Sequence, residues 1–200
     1  MGCGADRPES APEDAVFGVV LEQCRALTSA RGTAVAVGTY AAVTVAHSFE
    51  DVASFELVDR HGVVWPADVV LVDPAVDLAV LQLRAPHPAP LELVDIELGT
   101  DGRMISFADA AGQRIEPVEI RRRVNATLDG ADPRRALEVG VSARRGDSGA
   151  PVLDALDRVG GIHFASSRRA ERGWAIDVSE VRAVLERADA SAGSVELGCG

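Results

Sequence analysis

Short apolar runs fill the middle of this 200-residue chain, and they constrain its fold more than any other feature. The runs have the length of β-strands, are rich in valine, leucine and isoleucine, and are separated by Gly, Pro and Asp residues. This pattern is typical of an all-β sandwich or barrel, and so many strands require two sheets or two barrels. We predict strands at residues 16–21, 33–38, 41–46, 54–59, 63–72, 78–83, 103–108, 115–124, 135–141, 151–154, 158–166 and 172–177.

The two ends of the chain differ from this middle part. Residues 1–14 and residues 189–200 are rich in small, charged and turn-forming residues, so we predict a flexible leader and a flexible tail. Before the tail, an aspartate or serine cap is followed by apolar residues at helical spacing. We therefore predict one domain at residues 15–188 that ends in an α-helix at residues 178–188.

A proline-rich break lies near the middle of that domain. Residues 86–90 read PHPAP and favour an extended connector. We place the boundary between two lobes there, with an N-terminal lobe at residues 15–86 and a C-terminal lobe at residues 91–177.

The net charge narrows the range of partners. Twenty basic and 31 acidic side chains give −11 at pH 7, which repels phosphate backbones and anionic lipid headgroups. We expect no nucleic-acid partner. No stretch reaches the roughly 18 apolar residues of a membrane-spanning helix, so we also expect no transmembrane segment.

The three cysteines, Cys3, Cys24 and Cys199, define no disulfide framework. Their odd number favours unpaired thiols, with a Cys3 to Cys199 bridge as the alternative. The N-terminal MGCG and the polar segment after it also resemble a bacterial lipoprotein just after its processing site, which makes Cys3 a candidate lipid anchor. The protein is secreted or held in the cell envelope if a signal peptide has been removed, and otherwise cytoplasmic; both compartments stay open.

The sequence GDSGAP at residues 146–151 is the most informative motif. Two glycines flank Ser148 in a turn, where backbone N–H groups can point at one spot. The N–H groups of Gly146 and Ser148 would form an oxyanion hole, in which each donor stabilises a tetrahedral intermediate by roughly 2.7–4 kcal/mol. The turn therefore predicts that Ser148 is a nucleophile.

A serine hydroxyl needs a general base, and imidazole is suited to that work near neutral pH. His47 ends the apolar run VTVA and begins a polar segment, so its side chain is expected to face a cleft. His61 and His87 lie beside glycine or proline and are expected to be solvated loop residues. His163 lies in a predicted strand and is expected in a wall or in the core. His47 is thus the candidate base.

The base needs a carboxylate that holds one tautomer and stabilises the imidazolium form. Asp77 begins the apolar strand DLAVLQL, where a buried carboxylate is costly without a partner. Asp73 precedes a proline, a common solvated turn position, and is the weaker candidate.

Three motifs together resemble the trypsin-like serine peptidases. VTVAH is similar to their Thr-Ala-Ala-His segment, DLAVL to Asp-Leu-Ala-Leu-Leu, and GDSGAPV to Gly-Asp-Ser-Gly-Gly-Pro-Val, in the family's order. The resemblance covers roughly residues 16–187. It implies two six-stranded antiparallel β-barrels of the chymotrypsin-like kind, a C-terminal α-helix and an acyl-enzyme mechanism. The implied catalytic triad is His47, Asp77 and Ser148.

Departures from the family pattern indicate a subgroup. Ser48 stands where animal trypsins carry a half-cystine, as in short bacterial, HtrA-like peptidases, and Ala150 replaces the second glycine after the nucleophile. No Ile-Val-Gly-Gly start is present, so activation by cleavage of a zymogen is not implied. Too few residues follow Ala188 for a PDZ domain. We expect an HtrA-like protease domain without a PDZ domain.

The resemblance also implies a substrate-binding pocket. Ser142, six residues before the nucleophile, would lie at the floor of the S1 pocket, where a neutral group predicts a medium-sized or apolar P1 side chain. Phe164, Ala165 and Ser166 would form the wall and pair with the substrate backbone. Gly173 would leave the pocket open.

These features predict a serine endopeptidase that acts on a peptide or protein substrate and needs no metal or cofactor. The alternative is a catalytically silent or dormant module that keeps the fold and binds peptides or partner proteins. In a dormant form the oxyanion turn would be collapsed, with the Gly146 carbonyl facing inward. The intact set of His47, Asp77 and Ser148 argues against the silent module, and no pattern indicates an oligomeric state.

Overall fold

The computed structural model describes residues 10–25, 29–109, 112–127, 133–142, 144–167, 170–190 and 193–199. Within these ranges the chain is mainly β-strand and ends in a helix, α1, at Val178–Asp189. The predicted all-β class with a C-terminal helix is confirmed. The strands are β1 Val16–Gln23, β2 Ala30–Gly38, β3 Ala41–Thr44, β4 Val52–Val58, β5 Val64–Trp65, β6 Ala67–Asp73, β7 Leu78–Leu83, β8 Thr100–Asp109, β9 Gly112–Ala126, β10 Arg134–Gly140, β11 Pro151–Leu153, β12 Val159–Ser166 and β13 Gly173–Asp177.

The first seven strands form an antiparallel sheet in the order β5-β4-β1-β2-β3-β7-β6. The single strand expected at residues 63–72 is divided at Pro66, because proline has no N–H to donate to a neighbouring strand. β5 pairs with β4 at one edge and β6 with β7 at the other, so Pro66 alone connects the two edges. The first lobe is therefore a seven-stranded sheet that curls back on itself, where a closed six-stranded barrel was expected.

The last six strands close into a barrel in the order β10-β13-β12-β11-β8-β9. This confirms the second six-stranded antiparallel barrel. The apolar core runs through both lobes, because Val16 and Val43 of the first sheet pack in one buried cluster with Ile105 and Leu153 of the barrel. Burial of such side chains stabilises each by about 1.5–3 kcal/mol, so this shared cluster holds the two lobes together.

Helix α1 begins at the predicted cap. The Asp177 carboxylate accepts a hydrogen bond from the Ser179 backbone N–H at 2.9 Å, and Val181 and Val184 are buried against the body of the protein. Among the described residues, no helix combines the length and the apolar composition that crossing a bilayer requires.

Segments near both ends of the chain contact the first sheet or the barrel. Pro12–Ala15, at the end of the predicted leader and the start of the predicted domain, form a short 3-10 helix, and the Gln113 side chain of β9 donates to the Glu13 carbonyl at 2.7 Å. In the predicted tail, the Val195 N–H donates to the Val69 carbonyl at 2.7 Å. Residues 1–9 of the leader lie outside the described residues.

Cys24 and Cys199 form a disulfide, with Cα atoms 5.5 Å apart. The expectation of unpaired thiols is therefore wrong for these two residues, and so is the alternative bridge from Cys3 to Cys199. The partners are 175 residues apart in sequence, and such a distance carries no information about pairing. Cys3, the candidate lipid anchor, lies outside the described residues.

His87 is not the solvated loop residue that its neighbouring prolines predicted. Only 3% of it is exposed, and its ring lies 5.6 Å from that of Phe17 and 5.3 Å from that of Trp65. Burial lowers the pKa of His87. The proline-rich connector therefore packs on the first sheet, whereas the His61 side chain is 65% exposed, as expected.

Candidate active site

Ser148 lies in a tight turn before β11, and the glycines around it define the backbone. Gly146 and Gly149 have φ angles of +91° and +87°, in the left-handed region that favours glycine. A Cβ atom at Gly149 would lie 1.9 Å from the Thr33 carbonyl oxygen and 2.4 Å from Thr44 Oγ1. A side chain at this position is excluded, so the turn requires the glycine that the motif supplies.

His47 lies in a one-turn 3-10 helix, Ala46–Phe49, that follows β3 closely. Its Nδ1 is 2.9 Å from Asp77 Oδ2 and 3.1 Å from Asp77 Oδ1, and its Nε2 is 3.3 Å from Ser148 Oγ. The His47 side chain is 37% exposed and that of Asp77 6%. The structure thus brings together the three residues that the sequence analysis selected.

Asp77 stands directly before β7 in an unusual backbone conformation. Its φ of +63° lies in the left-handed region, which costs a non-glycine residue about 1–3 kcal/mol, so the contacts around Asp77 must offset this strain. The His47 N–H donates to Asp77 Oδ1 at 2.9 Å, and the Ala46 N–H donates to the Asp77 carbonyl at 3.2 Å. Asp73, the weaker candidate, instead accepts the Ala75 N–H within its own turn.

Two backbone donors of the turn have no acceptor in the part of the chain that the structure describes. These are the N–H groups of Gly146 and Ser148, the pair expected to form an oxyanion hole. The Gly146 carbonyl faces inward, the orientation expected of the dormant form, and accepts a hydrogen bond from the buried Thr33 hydroxyl at 2.6 Å. This orientation does not close the turn, because it leaves the Gly146 N–H without an acceptor among the described residues. Unpaired backbone donors are rare in folded proteins, so two in one turn indicate a place for an acceptor from a ligand.

Arg114 of β9 is a site residue that the sequence analysis missed. Its guanidinium pairs with the carboxylate of Asp147, the residue before the nucleophile, and with Glu116 at 2.5 Å. The Asp147 side chain is 2% exposed, and its second oxygen accepts the Arg144 N–H at 2.8 Å. A buried carboxylate at this position needs a partner, but nothing in the sequence selects Arg114 from the other arginines.

Arg134, at the start of β10, was also missed. Its side chain is 3% exposed, its Nη1 lies 3.6 Å from Asp77 Oδ2, and its guanidinium lies 5.2 Å from the centre of the Phe164 ring. Nε and Nη1 of this arginine have no hydrogen-bond partner among the described residues. A buried guanidinium therefore faces the Asp77 carboxylate, which also binds His47.

The predicted pocket residues lie mainly at the end of β12. Phe164 is buried, and Ala165 and Ser166 are partly exposed beside a cavity of about 330 Å³. Trp174 of β13 and the end of β9 complete the lining of this cavity. Ser142, the predicted floor of the S1 pocket, is exposed after β10, and neither it nor Gly173 lines this cavity.

Gly173 lies where three other side chains converge. A Cβ atom there would be 2.6 Å from Val141 Cγ1, 3.0 Å from His163 Nε2 and 3.1 Å from Ser166 Oγ. His163 is buried, as expected of a wall or core residue, and its Nε2 lies 2.7 Å from Ser166 Oγ. Burial lowers the pKa of His163 and favours its neutral form.

The side chains assembled here are suited to proton transfer and nucleophilic attack. Imidazole, carboxylate and hydroxyl groups lie within hydrogen-bond reach of one another, as general-base catalysis requires. Within the described ranges, no three His, Cys, Asp or Glu residues lie close enough together to hold a metal ion.

The chain belongs to the trypsin-like peptidase family, because the family model described as the trypsin-like peptidase domain matches residues 32–162. Serine-type endopeptidase is the enzyme class of this family. The match includes His47, Asp77 and Ser148.

Particular relatives come from bacteria. The chain is 29% identical over 138 residues to serine protease Rv3671c of Mycobacterium tuberculosis strain H37Rv. This match covers 64% of the chain but 34% of that protein, so the chain spans about a third of the length of its curated relative.

Solved structures of bacterial proteases have the same fold. The crystal structure of the active form of Rv3671c protease from M. tuberculosis superposes with a TM-score of 0.85 and 22% identity, over 94% of this chain and 86% of that one. The HtrA-type protease AlgW with a tripeptide gives 0.78 and 22%, over 87% of this chain and 60% of that one.

Proposed function

We propose that this protein is a serine endopeptidase with Ser148 as nucleophile, His47 as general base and Asp77 as the carboxylate that orients the base. One observation carries the proposal. Asp77, His47 and Ser148 form a continuous hydrogen-bonded line, with 2.9 Å from Asp77 Oδ2 to His47 Nδ1 and 3.3 Å from His47 Nε2 to Ser148 Oγ. Membership of the trypsin-like family supports the same roles.

The proposed reaction passes through an acyl-enzyme. Ser148 Oγ attacks the carbonyl carbon of the scissile peptide, and its proton passes to His47 Nε2. When the C–N bond breaks, His47 gives this proton to the leaving amine. A water molecule then attacks the ester carbonyl, His47 takes the proton of the water, and Ser148 leaves with that proton restored. Asp77 holds the proton of His47 on Nδ1 throughout.

We place the oxyanion of the tetrahedral intermediate at the N–H groups of Gly146 and Ser148. Both groups lack an acceptor among the described residues, which supports this role. Preorganised donors are effective because they need no rearrangement when the negative charge develops.

We propose that the substrate is a peptide segment of a protein that lies along the end of β12. Phe164, Ala165 and Ser166 would form the pocket wall, Gly173 would keep the pocket open, and Ser142 would be its neutral floor. The cavity of about 330 Å³ beside Phe164, Ala165 and Ser166 supports the position of the wall. The neutral floor favours a medium-sized or apolar P1 residue.

Labelling with a fluorophosphonate probe, measured by intact mass, tests the proposal. Wild type should gain one adduct, and Ser148→Ala and His47→Ala should gain none. His61→Ala and Ser54→Ala are matched controls on exposed residues and should label like wild type. Failure of folded wild type to label would contradict the proposal and favour the catalytically silent module.

A further inference from the structure

Thr33 lies in β2 of the first sheet, but its polar atoms bind the oxyanion turn of the second lobe. Thr33 is fully buried. Its hydroxyl donates to the Gly146 carbonyl at 2.6 Å and accepts the Phe107 N–H at 2.9 Å, and its own N–H donates to the Ser148 carbonyl at 2.8 Å. One residue thus holds carbonyl groups on both sides of Asp147.

Two peptide planes of the turn are each bound at both their carbonyl and their N–H, and Thr33 binds the carbonyl in both cases. In the plane that joins Gly146 to Asp147, the carbonyl binds Thr33 and the N–H donates to the Arg144 carbonyl at 3.3 Å. In the plane that joins Ser148 to the next residue, the carbonyl binds Thr33 and the N–H donates to the His163 carbonyl at 2.8 Å. A trans peptide is planar, so its orientation is fixed when both ends are bound.

The two free N–H groups adjoin these restrained planes. The Ser148 N–H belongs to the plane between them, whose carbonyl, that of Asp147, accepts the Ala150 N–H at 3.0 Å and lies 3.1 Å from His163 Nδ1. Among the described residues, the Gly146 N–H has no such bond in its own plane, and it is one Cα atom away from the carbonyl that binds Thr33. Gly146 has no Cβ atom to restrict its rotation and already has a positive φ. An external restraint is therefore needed to keep its N–H in one direction.

We infer that Thr33 is a positioning residue for catalysis, whose hydroxyl holds the Gly146 carbonyl so that the N–H groups of Gly146 and Ser148 remain available to the oxyanion. This inference rests on the proposed function. Thr33 touches no reacting atom and acts through the turn. Because Thr33 belongs to the first sheet, the direction of the donors depends on how the two lobes fit together.

The test measures the rate of fluorophosphonate inactivation in purified full-length variants, with the maximal rate constant kinact separated from the binding constant KI. Thr33→Val keeps the shape of the side chain and removes the hydroxyl, whereas Thr33→Ser keeps the hydroxyl and removes the methyl group. We expect Thr33→Val to lower kinact at least about tenfold and to change KI less than about threefold. This loss is smaller than the roughly 100- to 1,000-fold loss of rate that follows removal of an oxyanion donor itself. Thr33→Ser should lie within about threefold of wild type in both constants.

Thr100→Val is the control. Thr100 is partly buried at the start of β8, and its hydroxyl donates to a backbone carbonyl, that of Glu97, at 2.9 Å. The same loss of a hydroxyl should therefore leave kinact within about threefold of wild type. If Thr33→Val does not fold, Thr33→Ala and Thr33→Ser are compared, and only the serine variant should react rapidly.

The outcomes separate this inference from the proposed function. Absence of labelling in wild type would contradict the proposed function, and the role of Thr33 with it. Normal labelling of wild type with an equal kinact in Thr33→Val, or in Thr33→Ala and Thr33→Ser, would overturn the role of Thr33 alone. A loss of kinact that serine restores would support it.

Discussion

Gly149 occupies the narrowest point of the turn that carries Ser148. A Cβ atom there would meet the Thr33 carbonyl oxygen at 1.9 Å, and the φ of +87° adds strain for any other residue. We expect Gly149→Ala to lower the free energy of unfolding by more than about 3 kcal/mol, because rigid backbone cannot move away cheaply. Urea unfolding measures this change, and fluorophosphonate labelling should be lost.

Gly62 provides the matched control for Gly149. Its φ is +81°, but no atom lies within 4 Å of a Cβ atom built there. Gly62→Ala should therefore cost only the strain of a left-handed alanine, about 1–2 kcal/mol, and should leave labelling unchanged. Equal losses in the two variants would show that the close approach at Gly149 is unimportant.

Arg134 and Asp77 should be coupled in stability. The Arg134 guanidinium faces the Asp77 carboxylate at 3.6 Å from a buried position, where charges are weakly screened. A double-mutant cycle with Arg134→Met and Asp77→Asn should give a coupling free energy of at least about 1 kcal/mol in urea unfolding. Arg135→Met, on an exposed neighbour, should show no coupling to Asp77→Asn; zero coupling in both cycles would contradict a role for Arg134 at the site.

Some residues of the site could be predicted from the sequence, and others could not. Asp77 was predictable because a carboxylate at the start of an apolar strand is costly to bury unless it has a partner. Ser148 was predictable because its flanking sequence is a specific motif. Arg134 and Thr33 carry no such signal. An arginine next to another arginine, and a threonine in a strand, are ordinary until folding places them against Asp77 and Gly146.

The N-terminus of α1 depends on one buried carboxylate. Asp177 accepts the Ser179 N–H at 2.9 Å and the Arg123 Nε–H at 2.9 Å. Asp177→Ala removes both interactions and should lower the free energy of unfolding by about 2–3 kcal/mol, because the helix cap and an ion-pair partner are lost together. Asp177→Asn keeps an oxygen for the cap and should lose about half as much in the same urea titration. An equal loss in both variants would assign the whole effect to the charge.

Strand bounds were predictable where the turn residues in the sequence coincide with the ends of strand pairing. The prediction for β7 has the bounds of the strand itself, Leu78–Leu83, because a turn ends directly before it. The run at residues 63–72 was read as one strand because its apolar pattern is continuous across Pro66. Pairing divides it, since β5 and β6 join different partners, and partners come from distant parts of the chain.

The disulfide between Cys24 and Cys199 should contribute strongly to global stability. In the chain-entropy model, closure of a loop of 175 residues removes about 5 kcal/mol of unfolded-state entropy at 25 °C. We expect the Cys24→Ser, Cys199→Ser double variant to lose between about 2 and 5 kcal/mol in urea unfolding. Adding a reductant should destabilise wild type by a similar amount and leave the double variant unchanged. Unchanged stability of the double variant would show that the native fold gains nothing from this bond.

Stability should fall as the pH decreases from 7 to 5. Burial lowers the pKa of both His87 and His163, so below about pH 6.5 the unfolded chain binds protons that the folded chain does not. The Arg122 guanidinium beside Glu138 holds the pKa of that carboxyl below its usual range, and its contribution is lost only at lower pH. Thermal unfolding at several pH values measures this dependence.

His87→Gln removes one of these two buried histidines and should reduce the dependence of stability on pH between 7 and 5. His61→Gln, at a side chain that is 65% exposed, should leave it unchanged. Identical pH dependence in wild type and His87→Gln would contradict the assignment to this histidine.

The bond from Cys24 to Cys199 also makes a ring of almost the whole backbone. A single cut in a loop within that ring releases nothing, because the two fragments remain joined through their sulfur atoms. A molecule nicked by another copy would therefore migrate as one species on a non-reducing gel and as two polypeptides after reduction. Its intact mass before reduction would exceed that of the uncut chain by one water molecule.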